Sequence, residues 1–374
     1  MQKTLSKTAV ASALQRHGFS QAELARQLGV SAQAVSNWIK GDDFPRPDKL
    51  LRLAMLLRLK FDELVTQDDE NAPIVAFRKR GSAKTTERHL EHARGMGEML
   101  RAVVPYLPPR PFIRPRLDSA TTDYAALQRT VSEVRTRLGL VDRAVLHYYH
   151  LIGQFKQAGT VLVPVLWGAK QRHENALHIA LPADSVTFVF LNLDTGFDDF
   201  KFWMAHELAH VYTPHLTGKD EGEDFADAFA GALLFPEACA VEAYADAVRA
   251  KRDTTAIGAL QKHADSHAIS LYSVFCEARK YQRHYKLPAM QIDEAALKKA
   301  RAAVGSHLVS DALFDLPPPS PKDYVAAAEE TFQSDFFAAL RTMVREEGFG
   351  PSFVRQVLDV SLIDGKALHA ELSR

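Results

Sequence analysis

"FWMAHELAHVYTPH", residues 202–215, sets two histidines four apart with a glutamate directly after the first. At i and i+4, His206 and His210 leave the same face of a helix about one turn apart. That spacing lets both imidazoles reach one tetrahedral zinc ion at about 2.0–2.1 Å. Glu207 can lie over such a metal without binding it and take a proton from a bound water. The five residues alone recur by chance in roughly one or two chains in a hundred of this length, so the neighbourhood has to decide.

Working outward, "AGTVLVPVLW" (158–167) and "VTFVFLNLD" (186–194) are rich in β-branched and aromatic residues and predict strands, with "ALHIAL" (176–181) a third. "FDDFKFWMAHELAHVY" (197–212) follows with a helical period, Asp198 and Asp199 near its start. Downstream, Gly218 opens a turn, and "EGEDFADAFAGALLFP" (221–236) predicts a second helix. Glu223 and Asp227 share one face of it, while Phe225, Phe229 and Leu233 make the other apolar. Ala226, Ala230 and Ala232 are small enough for the two helices to approach closely. Glu223 then supplies a third, anionic ligand, and the fourth position is left to water. Asp227, one turn on, is placed to accept the second ring N–H of a zinc histidine and fix its tautomer. Two histidines and a glutamate in this order are the pattern of gluzincin peptidases.

The arrangement resembles the ImmA/IrrE (DUF955) family of metallopeptidases. The resemblance rests on "HELAH" followed by Glu223, Ala226, Asp227, Phe229, Ala230, Leu233, Leu234 and Pro236. "APIVAFRKR" (72–80) and the segment 260–280 are similar to stretches in helix-turn-helix-fused members. It implies Zn2+ held by His206, His210 and Glu223, with Glu207 as general base, and cleavage of a partner helix-turn-helix repressor in a stress or mobile-element response. From strand order, 186–194 is the strand expected to pair with an extended substrate. The long loop "PHLTGKDEGED" (214–224) departs from the family pattern and carries His215, expected at the surface. His263 and His267 are also four apart but lack an adjacent glutamate motif, so they read as ordinary helix residues. Cys239 and Cys276 are too few for a disulfide framework and read as core.

The N-terminal end has a different character. In 20–64, Ser20 caps a helix with Glu23 three residues on, a capping box, and Gly29 ends it. Ser31 caps the next helix, with Val35, Trp38 and Ile39 at helical spacing, and Gly41 stops it. "DKLLRLAMLLRL" (48–59) makes a third. Two helices joined by a tight glycine turn, the second with a polar outer face, is helix-turn-helix chemistry. Gln33 and Ser36 are placed to reach base edges, and Gln21, Asn37 and Lys40 to hold phosphates of double-stranded DNA. The segment is similar to the Xre (lambda-repressor-like) family. Residues 1–65 hold only 10 Lys and Arg against 6 Asp and Glu, so specific binding is expected to need a homodimer on paired half-sites.

Four regions follow: 1–68, the helix-turn-helix domain; 69–118, a linker; 119–313, the zincin-like metallopeptidase domain; and 314–374, a C-terminal region of two or three helices without a catalytic cluster. An amphipathic helix over 86–102 and a basic Arg78–Arg80 cluster fall within the linker. The fold class expected is mainly α with a small β-sheet. Residues 1–116 carry 20 Lys and Arg against 12 Asp and Glu, and the rest 26 against 34. A basic third joined to an acidic remainder suits one module that meets an anion and another that meets a basic protein. No run of 18 apolar residues exists, and the start reads as a first helix rather than a leader, so the expected location is cytoplasmic. The competing function is a transcriptional regulator or antitoxin whose peptidase-like domain senses or binds with little proteolysis.

Overall fold

In the computed structural model the chain divides into two units, Met1–Ala72 and Pro73–Arg374. Residues 3–67, 71–79, 87–109, 111, 114–117, 119–168, 174–250, 252–304, 307–315 and 317–374 are described.

The first unit runs β1 (Lys3–Leu5), α1 (Lys7–His17), α2 (Gln21–Leu28), α3 (Ala32–Lys40), α4 (Pro47–Leu57), α5 (Phe61–Leu64) and β2 (Val65–Gln67). Ser20 accepts from Glu23 N at 3.1 Å and Ser31 from Ala34 N at 3.1 Å, satisfying donors the helix starts leave open. The Glu23 carboxylate pairs with Arg26, so of the expected capping box the Ser20 half is formed. Gly29 and Gly41 sit at φ of 65° and 90°, the left-handed conformation that lets α2 turn into α3 and α3 stop. Leu24, Leu28, Val35, Trp38, Leu53 and Leu57 fill a core of the unit's own. β1 and β2 pair antiparallel, Thr4 opposite Thr66, a two-stranded closure that the sequence pattern did not suggest.

The second unit is mostly helical around a small mixed sheet. Its elements are β3 (Ile74–Lys79), α6 (Glu87–Leu100), α7 (Tyr124–Arg137), α8 (Tyr148–Gln157), β4 (Thr160–Val165), β5 (Glu174–Leu181), β6 (Val186–Asn192), α9 (Phe197–Tyr212) and α10 (Asp220–Leu234). There follow α11 (Glu237–Arg249), α12 (Asp253–His267), α13 (Leu271–His284), α14 (Glu294–Val304), α15 (Val309–Leu313), α16 (Pro321–Glu330), α17 (Phe336–Glu347), α18 (Pro351–Leu358) and α19 (Leu362–Leu372). Sheet order is β3-β5-β6-β4, with β4 parallel to β6 and the other pairs antiparallel.

Three expectations need correction here. The segment 69–118 does more than link: β3 is an edge strand of the sheet, and Val75, Met96, Leu100 and Val103 are buried in the main core. Arg80 of the basic cluster lies outside the described residues. Strand 186–194 cannot pair with a substrate, because β6 already hydrogen-bonds to β5 on one side and β4 on the other. The C-terminal region forms four helices, α16–α19, whose Phe336, Leu340, Val354 and Leu372 belong to the same core as the sheet. Its side chains also close the outer edge of β4: Tyr324 Oη donates to Pro164 O and Ser334 Oγ to Leu162 O.

Among the described residues no single helix is long and apolar enough to cross a membrane. The pair α10 and α11, bent by 75°, reaches the length together, but Phe229, Leu233, Ala240 and Ala243 are core.

Candidate metal centre

α9 is buried along most of its length, an unusual setting for His206, Glu207 and His210, which are 0%, 1% and 1% exposed. Small residues make this possible. Ala205 and Ala209 on α9, and Ala226 and Ala230 on α10, are all buried, so the two backbones pack closely. Gly222 matters to the approach of α10, because a Cβ there would collide with the Leu216 carbonyl. The loop before α10 can therefore fold onto its first turn, one residue before Glu223.

His206, His210 and Glu223 converge, each offering one ligand atom within a single cluster. The two Nε2 atoms face each other at 3.2 Å. Glu223 Oε1 lies 3.2 Å from His210 Nε2, and Oε2 lies 3.4 Å from His206 Nε2. Ligands at about 2.05 Å on a tetrahedral ion stand about 3.3 Å apart, so the donor set fits zinc. His206 Nδ1–H donates to Asp227 Oδ1 at 3.0 Å, which leaves the Nε2 lone pair for the cluster. His210 Nδ1 is buried with no hydrogen-bond partner among the described residues.

The electrostatics favour positive charge between these groups. Burial works against the His206 imidazolium, but hydrogen bonds to Asp227 and Glu223 outweigh it and lift its pKa to about 9. Burial raises the Glu223 carboxyl, yet the two histidines override it and hold it well below the usual range. A proton shared this way occupies a place where a divalent ion satisfies the same carboxylate and both nitrogens.

One residue of this site was not singled out in the sequence. His178 on β5 is 1% exposed, and its Nδ1 faces Glu207 Oε2 at 3.4 Å. Burial pushes its pKa down, towards the neutral ring. The available signal was a lone histidine in the otherwise apolar "ALHIAL". A second omission is Lys201, buried on α9. Its Nζ donates to Leu146 O at 3.0 Å and to His267 O, and burial lowers its pKa to about 8.

The remaining candidates lie elsewhere. His215 is exposed on the turn Pro214–Leu216 and is not in the ligand cluster. His263 meets Asp246 at 3.0 Å, and His267 Nε2 lies 3.5 Å from Cys239 Sγ. Cys239 is core as expected, but Cys276 is only half-buried.

In the first unit, α3 buries Val35 and Trp38, exposes Gln33 and Lys40, and leaves Ser36, Asn37 and Ile39 half-buried. Gln33 Nε2 donates to Asn37 Oδ1 at 2.7 Å, which pre-orders both amides. Gln21 is exposed at the start of α2. The loop-helix geometry suits major-groove docking, with the helix N-terminus nearest the bases.

Residues 10–64 match the helix-turn-helix family. No curated protein and no solved structure matches the chain. The matched segment is the DNA-binding module of a transcription regulator.

Proposed function

We propose that the chain is a DNA-binding zinc metalloendopeptidase that cuts a partner helix-turn-helix repressor, as its resemblance to the ImmA/IrrE family implies. The observation that carries this reading is the triangle of ligand atoms at 3.2–3.4 Å, with Asp227 behind His206 and Glu207 beside it. A bound zinc ion would supply Lewis acidity to a water and to the scissile carbonyl. His206, His210 and Glu223 hold the ion, and Asp227 keeps His206 in the ligating tautomer. Glu207 takes the proton of the attacking water and passes it to the departing amine. With β6 flanked on both sides, an extended substrate would add at the outer edge of β3, whose Ala76 sits in register with His178. The helix-turn-helix unit would bring the peptidase to the DNA where such a repressor binds, with two copies on paired half-sites.

The test is metal content of the purified protein beside Glu223→Ala, then cleavage by Glu207→Gln. About one zinc per chain, lost in the first variant, is the expected result. Cleavage of a co-expressed helix-turn-helix repressor should fall about 10²–10⁴-fold in Glu207→Gln with zinc retained. Metal-free wild type after zinc is supplied, or equal cleavage by Glu207→Gln, would leave a DNA-binding regulator without peptidase chemistry.

A further inference from the structure

Glu207 is almost wholly buried, and its Oε2 has no hydrogen-bond partner among the described residues. A carboxylate in that position is costly to bury and free to choose among rotamers unless something holds it. His178 Nδ1 is likewise buried and without a made hydrogen bond, and the two atoms face each other at 3.4 Å. Catalytic hydrogen bonds are often this long in unliganded sites and tighten in the reacting complex.

The sheet explains how the ring arrives there. Alternate residues of β5 face opposite sides. Ile179 lies on the α6 side, where its Cγ2 is 3.1 Å from the place a Cβ on Gly97 would take. His178 therefore points the other way, towards α9, and its neighbours on that face are Ala176 and Ala180. An imidazole between two alanines, under a helix, faces Glu207. Pairing with β3 and β6 on both flanks fixes the strand, so the ring is carried on a rigid support.

We propose that His178 is a positioning residue: its Nδ1–H holds Glu207 Oε2 and leaves the other carboxylate oxygen to meet the attacking water. The inference rests on the peptidase reading for Glu207's role, but the His178–Glu207 contact exists without a metal. Two measurements on the full chain keep these apart. In metal-free protein labelled with 15N-histidine, two-bond 15N–1H spectra should show His178 as the Nδ1–H tautomer. That proton should shift in Glu207→Gln, with the signal assigned by its loss in His178→Asn. An Nε2–H tautomer, or a signal unmoved by Glu207→Gln, would overturn the proposal.

The second measurement loads Co2+ and titrates acetohydroxamate, a metal chelator that also needs the base carboxylate, following the visible cobalt bands. His178→Leu should weaken hydroxamate about tenfold while cobalt affinity stays unchanged, and His178→Asn, which keeps a donor near the Nδ1 position, should recover most of it. Equal hydroxamate affinity in wild type and His178→Leu would refute the positioning role. Failure of wild type to take up cobalt would instead refute the metal reading, and the tautomer would still decide the contact.

Discussion

Helix α3 of the helix-turn-helix and helix α9, which carries the candidate metal ligands, hold their polar residues in opposite ways. α3 exposes Gln33 and Lys40 and keeps Ser36 and Asn37 half-buried over a core of Val35 and Trp38. α9 encloses His206, Glu207 and His210 so that almost nothing of them reaches solvent. Polar side chains that solvent still reaches cost the fold little, so their presence on α3 gains meaning only from the helix-turn-helix frame around them. Buried charge is expensive, and each such group on α9 needs a partner: Asp227 for His206, Glu223 for both nitrogens, and His178 facing Glu207. On one helix the fold is the argument for function; on the other it is the compensation.

That contrast can be broken most forcefully by unfolding one region alone. The two units have separate cores, so Trp38→Ala should cost the first about 3–5 kcal/mol. DNA binding would be lost, while metal uptake by the second unit stays at the wild-type level. Metal binding that falls together with DNA binding would mean the two sites share one cooperative structure.

A smaller effect tests the price of enclosure on α9. Burial lowers the Lys201 pKa from 10.5 to about 8. Between those values the unfolded chain keeps a proton that the folded chain has lost, so this group makes stability rise with pH. Lys201→Met lacks that gain. Its stability relative to wild type, read by denaturant unfolding, should fall by at most about 3 kcal/mol between pH 8 and pH 10.5. A gap that does not change with pH would mean that the ammonium is as well solvated inside as out.

The smallest effects belong to the exposed face. Gln33→Ala should weaken specific DNA binding by about 1–3 kcal/mol and relax preference at one base pair. Its unfolding free energy should move by less than about 0.5 kcal/mol. Lys40→Ala should weaken binding to all sequences alike and reduce the salt slope by about 1. A Gln33→Ala variant that unfolds readily would place that residue in the fold rather than at the DNA.

What the sequence made legible follows the range of the interactions. His206 and His210 share one helical face, and Glu223 and Asp227 share one on the next helix, so local spacing was enough to nominate them. His178 was missed because it lies on a strand far upstream and reaches Glu207 only through sheet pairing. The interior position of β6 was missed for the same reason, since strand order is not written in any one strand. The helix expected over 86–102 forms as α6, but β3 and the place of both in the core were hidden in a segment whose charges and prolines read as a linker, although Val75, Met96 and Leu100 are core. The helix-turn-helix was the easiest to read, because Ser20, Gly29, Ser31 and Gly41 punctuate it locally.

The closure of β4 by Tyr324 and Ser334, with Trp167 Nε1 donating to Leu358 O at 2.9 Å, has a consequence during synthesis. The first unit has all its strands and helices once Gln67 has left the ribosome, whereas the partners that close the sheet of the second are complete only once Leu358 has left it. At about 5–20 residues per second, that gap lasts roughly 15–60 s. Each nascent chain therefore carries a complete helix α3 well before the residues that close β4 have been made.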